Sequence, residues 1–188
     1  MYIPKITRSL FTEILGLERR NWKDSTQFEI ERRFLVKHLP EDLNKYPHER
    51  ITQGYLQTND GTSVRLRKEK SKYYQTTKTG SGKVRAETNI EISKELFDAL
   101  WHLTKRRRLE KTRYEIPHES GTIELDIYHG KLLGLVTVEM EFESEKTCDS
   151  FIPPDWFGKE VTETKGYSNK SLAINGLPKN IPLHRDII

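Results

Sequence analysis

Like-charged residues recur two positions apart in four places along the chain. The basic pairs are Arg65 with Arg67 and Lys111 with Arg113, and the acidic pairs are Glu29 with Glu31 and Glu139 with Glu141. Residues i and i+2 of a β-strand point to the same face, so each pair repels itself unless opposite charge lies nearby. That opposite charge can come from another strand, a polyanion or a metal ion.

The residue types suggest which ligands these pairs would hold. Guanidinium groups bind phosphate oxygens in a bidentate manner, and carboxylates suit magnesium or manganese better than zinc. The predicted basic cradle is Arg33, Arg65, Arg67, Lys78, Arg85, Lys111 and Arg113. The predicted metal ligands are Glu29, Glu31, Glu139 and Glu141, with Glu124, Asp126 and Glu87 as further candidates. Together they favour phosphoryl chemistry, although a charged face that is only solvated has equal weight at this point.

A period of two in the sequence predicts the strands that carry these residues. Charged or polar residues alternate with apolar ones in segments 28–34, 64–67, 74–78, 84–92, 111–116, 123–127 and 136–142. Glycine-containing turn signals separate the segments, which is typical of antiparallel hairpins. If the strands close into a barrel, their charged faces converge on a lumen that has room for one small ligand.

Three helices are predicted beside the sheet. Ser93 is a good N-cap for a segment in which Leu96, Phe97, Leu100 and Trp101 recur at helical spacing. Shorter helices are expected over 145–151 and 168–174. The expected class is therefore α+β, an antiparallel closed barrel with a few flanking helices.

Composition narrows the classes of function. The 188 residues include 32 basic and 28 acidic side chains, a net charge of +4, and this near balance argues against a nucleic-acid partner. The single cysteine, Cys148, suits a reducing, cytosolic setting, and no apolar run is long enough to span a membrane. Residues 1–24 are expected to be an extension of helical or mobile character, and 25–188 one domain that is a monomer or homodimer.

A series of motifs resembles a known family. The segment Glu29-Ile30-Glu31-Arg32-Arg33 is similar to the Glu-Xaa-Glu-Xaa-Lys strand of the CYTH, or triphosphate tunnel metalloenzyme, superfamily. The match continues in family order through Gln53-Gly54-Tyr55-Leu56, Arg65-Leu66-Arg67, Lys78, Glu110-Lys111-Thr112-Arg113-Tyr114, Glu124-Leu125-Asp126-Ile127, Val138-Glu139-Met140-Glu141-Phe142, Pro153-Pro154-Asp155-Trp156-Phe157-Gly158 and Tyr167-Ser168-Asn169-Lys170. It resembles in particular the short bacterial inorganic triphosphatase branch.

This resemblance implies an eight-stranded antiparallel tunnel that hydrolyses a linear triphosphate with Mg²⁺ or Mn²⁺. It implies metal binding or orientation of metal-bound water by the four paired glutamates, and phosphate binding by the arginines and by Lys111. It also implies water activation by Lys78 and, as a weaker transfer, phosphate binding by Lys165 at the tunnel mouth. The candidate catalytic residues are Lys78, Arg33 and Glu31.

The chain departs from the family pattern at two positions. Arg33 stands where the family has lysine, and Asn89 stands where relatives often carry a second glutamate. Two alternatives therefore accompany the triphosphatase hypothesis. One is another enzyme on the same site, a class IV adenylate cyclase or a thiamine or nucleoside triphosphatase, and the other is a non-catalytic module that binds phosphopolymers.

Overall fold

In the computed structural model, the chain is described for residues 26–58, 62–79, 84–179 and 181–184. The predicted extension, residues 1–24, lies outside the described residues. The strands are β1 (Thr26–Val36), β2 (His48–Tyr55), β3 (Ser63–Glu69), β4 (Lys72–Thr79), β5 (Val84–Glu91), β6 (Arg108–His118), β7 (Gly121–Tyr128), β8 (Val136–Phe142) and β9 (Phe157–Glu160). All seven segments with period-two alternation form strands, as predicted.

The strands form one antiparallel sheet in the order β5-β4-β3-β2-β6-β7-β8-β1-β9. The first half of β1 also pairs with β5, with Glu29 opposite Arg85, while its second half pairs with β8, with Arg33 opposite Glu139. The expected number of eight strands was wrong, because the short strand β9 joins the outer part of β1 as a ninth. Only Phe157 is apolar in β9, and four residues are too few to show a period of two.

Strand β2 has no charged-against-apolar alternation, and the resemblance alone pointed to it. One of its faces carries Ile51, Gln53 and Tyr55, all buried, and the other carries mainly polar or small residues. A Cβ atom added at Gly54 would lie 2.6 Å from Thr104 and 2.9 Å from Trp101. Only glycine fits there, because the turn after the first helix packs directly on this strand.

The apolar face of the sheet has its own core, so neither face of the central strands is open to water. Phe34, Leu125, Val138 and Met140 are buried in one cluster, in which the Phe34 and Phe157 rings lie 5.1 Å apart. Because this cluster takes the outward face, the charged face of the same strands points inward.

All three predicted helices are present: α1 (Lys94–Trp101), α2 (Glu145–Ser150) and α3 (Asn169–Asn175). The Ser93 hydroxyl caps α1 by accepting a hydrogen bond from the Leu96 amide, and the Phe97 ring packs 4.8 Å from the Tyr73 ring on β4. Helix α3 inserts Leu172 and Ala173 into a second apolar cluster. Within the part of the chain that the structure describes, no helix is both long and apolar enough to cross a membrane.

Candidate active site

The inward faces of β1 to β8 and the start of α3 enclose a cavity of about 340 Å³, a size that suits a small ligand. Six of the predicted cationic residues line it: Arg33, Arg65, Arg67, Lys78, Lys111 and Arg113. Six of the predicted acidic residues line it as well: Glu29, Glu31, Glu87, Glu124, Glu139 and Glu141. Residues that are far apart in sequence, such as Glu29 and Glu141, therefore share one cavity.

Three predicted site residues do not line the cavity in the described structure. The Arg85 side chain lies outside the described part, and only its backbone pairing opposite Glu29 is defined. Asp126 is fully buried behind the cavity wall, and Lys165 is exposed. Asp126 therefore acts on the wall of the cavity rather than on a ligand inside it.

Arg33 and Glu139 form a buried ion pair in the cavity wall. Arg33 Nε donates to Glu139 Oε1 over 2.7 Å, and Arg33 Nη2 donates to Glu31 Oε1 over 3.3 Å. Burial opposes ionisation of both partners, but the surrounding opposite charges outweigh it. They raise the pKa of Arg33 and hold the pKa of Glu139 well below its usual range.

Asp126 is the buried counter-charge of the basic pair on β6, Lys111 and Arg113, as Glu139 is of Arg33. Arg113 binds it in a bidentate manner, with Nε 2.8 Å from Oδ1 and Nη2 2.7 Å from Oδ2, and Lys111 also forms an ion pair with it. Burial, and then the charge of Arg113, lowers the pKa of Lys111 to about 8. The like-charged neighbours seen in the sequence are thus bridged by a carboxylate from the adjacent strand.

Lys78 on β4 lies between two carboxylates, one on β1 and one on β5. Its Nζ is 2.5 Å from Glu29 Oε2 and 2.6 Å from Glu87 Oε2. The ammonium group is therefore held by charge on two sides at the cavity wall.

Arg65 and Lys170 are cations of a different kind. Arg65 Nη2 donates to Thr76 Oγ1 over 3.2 Å, and its buried Nε has no hydrogen-bond partner among the described residues. Lys170 Nζ, from the first turn of α3, donates to the Thr62 carbonyl over 3.2 Å. No described carboxylate lies within ion-pair distance of either side chain. Both line the cavity, so their charge is available to an anionic ligand.

Carboxylates accumulate on the other side of the cavity. Burial, followed by the charges of Glu124 and Glu29, raises the pKa of Glu141 to about 8. Among the described residues, no three acidic, histidine or cysteine side chains are arranged as a complete metal site. Magnesium, however, commonly uses one or two carboxylates together with water and substrate phosphates. The mutual repulsion of Glu29, Glu124 and Glu141 and their hard oxygen donors fit such partial coordination.

Several residues of the cavity wall were absent from the predicted site. They are Gln53, Tyr55, Ser63, Thr76, Ser168, Asn169 and Lys170. Most of these residues are neutral, so the pattern of like-charged residues two positions apart does not include them. The motifs that contain Gln53, Tyr55 and Lys170 belonged to the family resemblance, which was the available signal.

The departure at Asn89 has a local structural consequence. Thr76 Oγ1 donates to Asn89 Oδ1 over 2.8 Å, and the same hydroxyl accepts from Arg65. A neutral amide therefore orients Thr76, and the Thr76 hydroxyl in turn gives Arg65 a neutral acceptor.

The fold and the cavity together define a class of protein, an antiparallel sheet that encloses a site for a small, highly charged ligand. The model of the CYTH domain matches residues 27–173, and the chain belongs to this family.

Two curated relatives and one solved structure agree with this membership, and a second solved structure shares the fold. The chain is 45% identical over 150 residues to "Inorganic triphosphatase" of Nitrosomonas europaea, covering 78% of this chain and 97% of the relative. It is 38% identical over 125 residues to "Inorganic triphosphatase" of Acetivibrio thermocellus, covering 65% and 79% respectively. A crystal structure of an inorganic triphosphatase superposes with a TM-score of 0.59 at 42% identity, covering 82% of this chain and 96% of that one. A protein of Pyrococcus horikoshii shares the fold, with a TM-score of 0.50 at 19% identity over 64% of this chain and 82% of that one.

Proposed function

We propose that this chain is a metal-dependent triphosphatase, a phosphoric anhydride hydrolase whose substrate is inorganic tripolyphosphate. The observation that carries the proposal is that Arg65 and Lys170 line a cavity of about 340 Å³ and have no carboxylate partner among the described residues. Confined cations of this kind need an anion, and guanidinium groups suit phosphate. Two relatives named inorganic triphosphatase support the choice of substrate.

The closed tunnel predicted from the sequence forms part of the proposal. It is supported by β1, which pairs with β5 through residues Thr26 to Ile30 and with β8 through residues Ile30 to Leu35. In the proposed tunnel, this double pairing would join the two sides of the sheet around the cavity. A linear triphosphate would then lie along the tunnel and be largely shielded from water, which strengthens its contacts with the cationic groups.

The divalent metal that the family implies would be held by Glu29, Glu124 and Glu141, with Glu31 and Glu139 nearby. Their oxygen donors favour Mg²⁺ or Mn²⁺. Bound there, the metal would neutralise charge that develops on the phosphate oxygens and would orient the substrate. Arg33 and Glu139 are paired with each other, so their part is to fix the wall that carries these carboxylates.

The chain's own residues supply binding and positioning. Arg65, Arg67 and Lys170 hold the non-reacting phosphates, and Arg113 and Lys111 complete the basic wall. Water attacks a terminal phosphorus in line, the anhydride P–O bond breaks, and inorganic phosphate and pyrophosphate are released. The transition state of phosphoryl transfer is loose, so positioning and charge neutralisation provide most of the catalysis.

The candidate catalytic residues take different parts in this scheme. Lys78 remains the candidate for directing the attacking water, since its ammonium group is fixed at the wall by Glu29 and Glu87. Arg33 cannot act as a base at ordinary pH, so it stabilises charge, and Glu31 orients it.

A substrate panel tests the proposed function. Phosphate release is measured from tripolyphosphate, ATP and thiamine triphosphate, each with Mg²⁺, Mn²⁺ or Ca²⁺ and with a chelator. We expect release from tripolyphosphate to be fastest, to require Mg²⁺ or Mn²⁺ and to stop on chelation. Arg50→Ala, which removes an exposed arginine paired with Glu110, is the matched control and should keep wild-type turnover.

Three outcomes would contradict the proposal. Formation of cyclic AMP from ATP would identify a cyclase, and a clear preference for thiamine triphosphate or ATP would identify a different triphosphatase. Tight binding of tripolyphosphate without phosphate release in any metal would identify a binding module. A cytosolic setting, consistent with a sequence that has one cysteine, remains part of the proposal, as does a monomeric or homodimeric state.

A further inference from the structure

Gln53 and Tyr55 form a neutral pair inside a cavity whose other contacts are mostly between charges. Both lie on the inward face of β2 and line the cavity, with exposed fractions of 0% and 4%. Gln53 Nε2 donates to the Tyr55 hydroxyl over 2.9 Å. In the strand register they lie opposite the two phosphate-binding candidates of β3, Gln53 opposite Arg67 and Tyr55 opposite Arg65.

The carbonyl oxygen of Gln53 is buried and accepts no hydrogen bond from any described residue. A buried acceptor left in this state costs about 1–3 kcal/mol, and such groups are rare in folded proteins. Apolar side chains of similar size would fill the position without that cost. The amide oxygen therefore points to a hydrogen-bond donor that arrives with the ligand.

Tyr55, in contrast, has a hydrogen-bond donor available rather than an acceptor. Its oxygen already accepts from Gln53, and Arg65 also donates toward it. Burial raises the pKa of Tyr55 to about 12, so the phenol keeps its proton at neutral pH. Because the oxygen is occupied as an acceptor, the hydroxyl proton remains available to a group in the cavity.

Only one of these two side chains can form a hydrogen bond directly with the proposed substrate. An ionised inorganic polyphosphate offers oxygen acceptors and no N–H group. It can therefore accept from Tyr55, whereas Gln53 Oε1 would face its oxygens as one acceptor against another. A water molecule beside the phosphate supplies the missing donor, and an amide that orients such a water is an established device in phosphoryl transfer.

Resting on the proposed triphosphatase function, we infer that Gln53 and Tyr55 form a neutral catalytic subsite on β2. Tyr55 donates a hydrogen bond to a phosphoryl oxygen, and Gln53 Oε1 accepts one from the attacking water. The water's oxygen forms the new P–O bond, the anhydride bond breaks, and the water's protons pass to the phosphate product and solvent.

Three variants separate this role from a structural one. Gln53→Met keeps the length of the side chain and removes the acceptor, Gln53→Glu keeps an acceptor and removes the donor to Tyr55, and Tyr55→Phe removes only the hydroxyl. Gln75→Met, the same change on the outward face of β4, is the matched control. Each variant is assayed with tripolyphosphate after its thermal unfolding midpoint has confirmed that it is folded.

We expect Gln53→Met to lower kcat by about 10- to 100-fold with little change in KM, as loss of an interaction with the reacting water should. Gln53→Glu should recover part of that loss. Tyr55→Phe should raise KM by about tenfold, and Gln75→Met should match the wild type. Wild-type kcat in folded Gln53→Met would overturn the inference and leave water activation to Lys78 alone. Equal losses in Gln53→Met and Gln53→Glu would also overturn it, since they would show that Gln53 only holds Tyr55.

Binding of tripolyphosphate, measured by calorimetry, distinguishes a failure of this inference from a failure of the proposed function. If the wild-type protein released no phosphate, the triphosphatase proposal would fail, and with it the role of Gln53 in hydrolysis. Tyr55→Phe would still have to bind tripolyphosphate about tenfold more weakly than wild type for the subsite to survive as a phosphate contact. Unchanged binding in Tyr55→Phe would remove that contact as well.

Discussion

The two sides of the cavity treat charge in opposite ways. On the side formed by β1, β6, β7 and β8, Arg33, Arg113 and Lys111 are each paired with buried carboxylates. On the side formed by β3 and the start of α3, Arg65 and Lys170 bind only neutral oxygens among the described residues. These cations of the first side have carboxylate partners in the absence of a ligand, whereas Arg65 and Lys170 would gain theirs from an anionic ligand.

Because of this difference, removing an arginine should change the free energy of unfolding more on one side of the cavity than on the other. Removing one partner of a buried ion pair leaves the other charge unpaired, which is costly for folding. Removing a cation that has no carboxylate partner takes nothing comparable from the folded state. Arg33 on the first side should therefore matter for stability as well as activity, and Arg65 on the second side for activity alone.

The largest effect is expected from Arg33→Ala. Its loss leaves Glu139 and Glu31 buried without their main counter-charge, and we expect unfolding to become easier by about 3–5 kcal/mol, together with loss of turnover. Urea denaturation followed by circular dichroism measures the change. A variant as stable as the wild type would show that the pair does not support the fold.

Arg65→Ala should separate activity from stability. We expect turnover of tripolyphosphate to fall by about 100-fold, because a cation facing the phosphates is lost. The free energy of unfolding should stay within about 1 kcal/mol of wild type, since no ion pair is broken. Phosphate release and urea denaturation on the same preparation test this. A loss of stability as large as that of Arg33→Ala would remove the distinction between the two sides.

Lys170→Ala should have a smaller effect that falls on binding. Lys170 lines the cavity from α3, and we expect KM for tripolyphosphate to rise by about tenfold while kcat changes little. Lys165→Ala is the control, because Lys165 is exposed and does not line the cavity. If Lys165→Ala weakened binding and Lys170→Ala did not, the phosphate-binding lysine would be Lys165 rather than Lys170.

The smallest effect concerns a carboxyl pair outside the cavity wall. Burial, and then the carboxyl group of Glu69, raises the pKa of Glu49 to about 7. The unfolded chain loses this proton at lower pH than the folded one, so stability should fall as pH rises from about 4.5 to 7.

Glu49→Gln should remove that loss. We expect the variant to be about 1 kcal/mol more stable than wild type at pH 8 and no more stable at pH 4.5, a modest figure because the nearby Lys70 is exposed. Urea denaturation at the two pH values is the measurement, with the exposed Glu119→Gln as control. An equal gain at both pH values would show that ionisation is not the cause.

Much of the sheet could be predicted because most of its strands show a period of two in their own sequence. The alternation over 123–127 or 136–142 identifies both the strand and the face that carries Glu124 or Glu139. Strand β2 could not be found this way, because Gln53 is polar but buried and Gly54 is set by a contact with Thr104 and Trp101. Both features depend on what lies across the fold rather than on neighbours in sequence.

The amino-acid sequence is enough to tell which residues carry charge and which of them share a face of a strand, because the side-chain period of a strand is set by backbone geometry. The folded structure is needed to show that Asp126 neutralises Lys111 and Arg113 and that Glu139 neutralises Arg33, whereas Arg65 and Lys170 bind neutral oxygens among the described residues. Strand register sets those partners, and register is settled by packing between segments far apart in the chain.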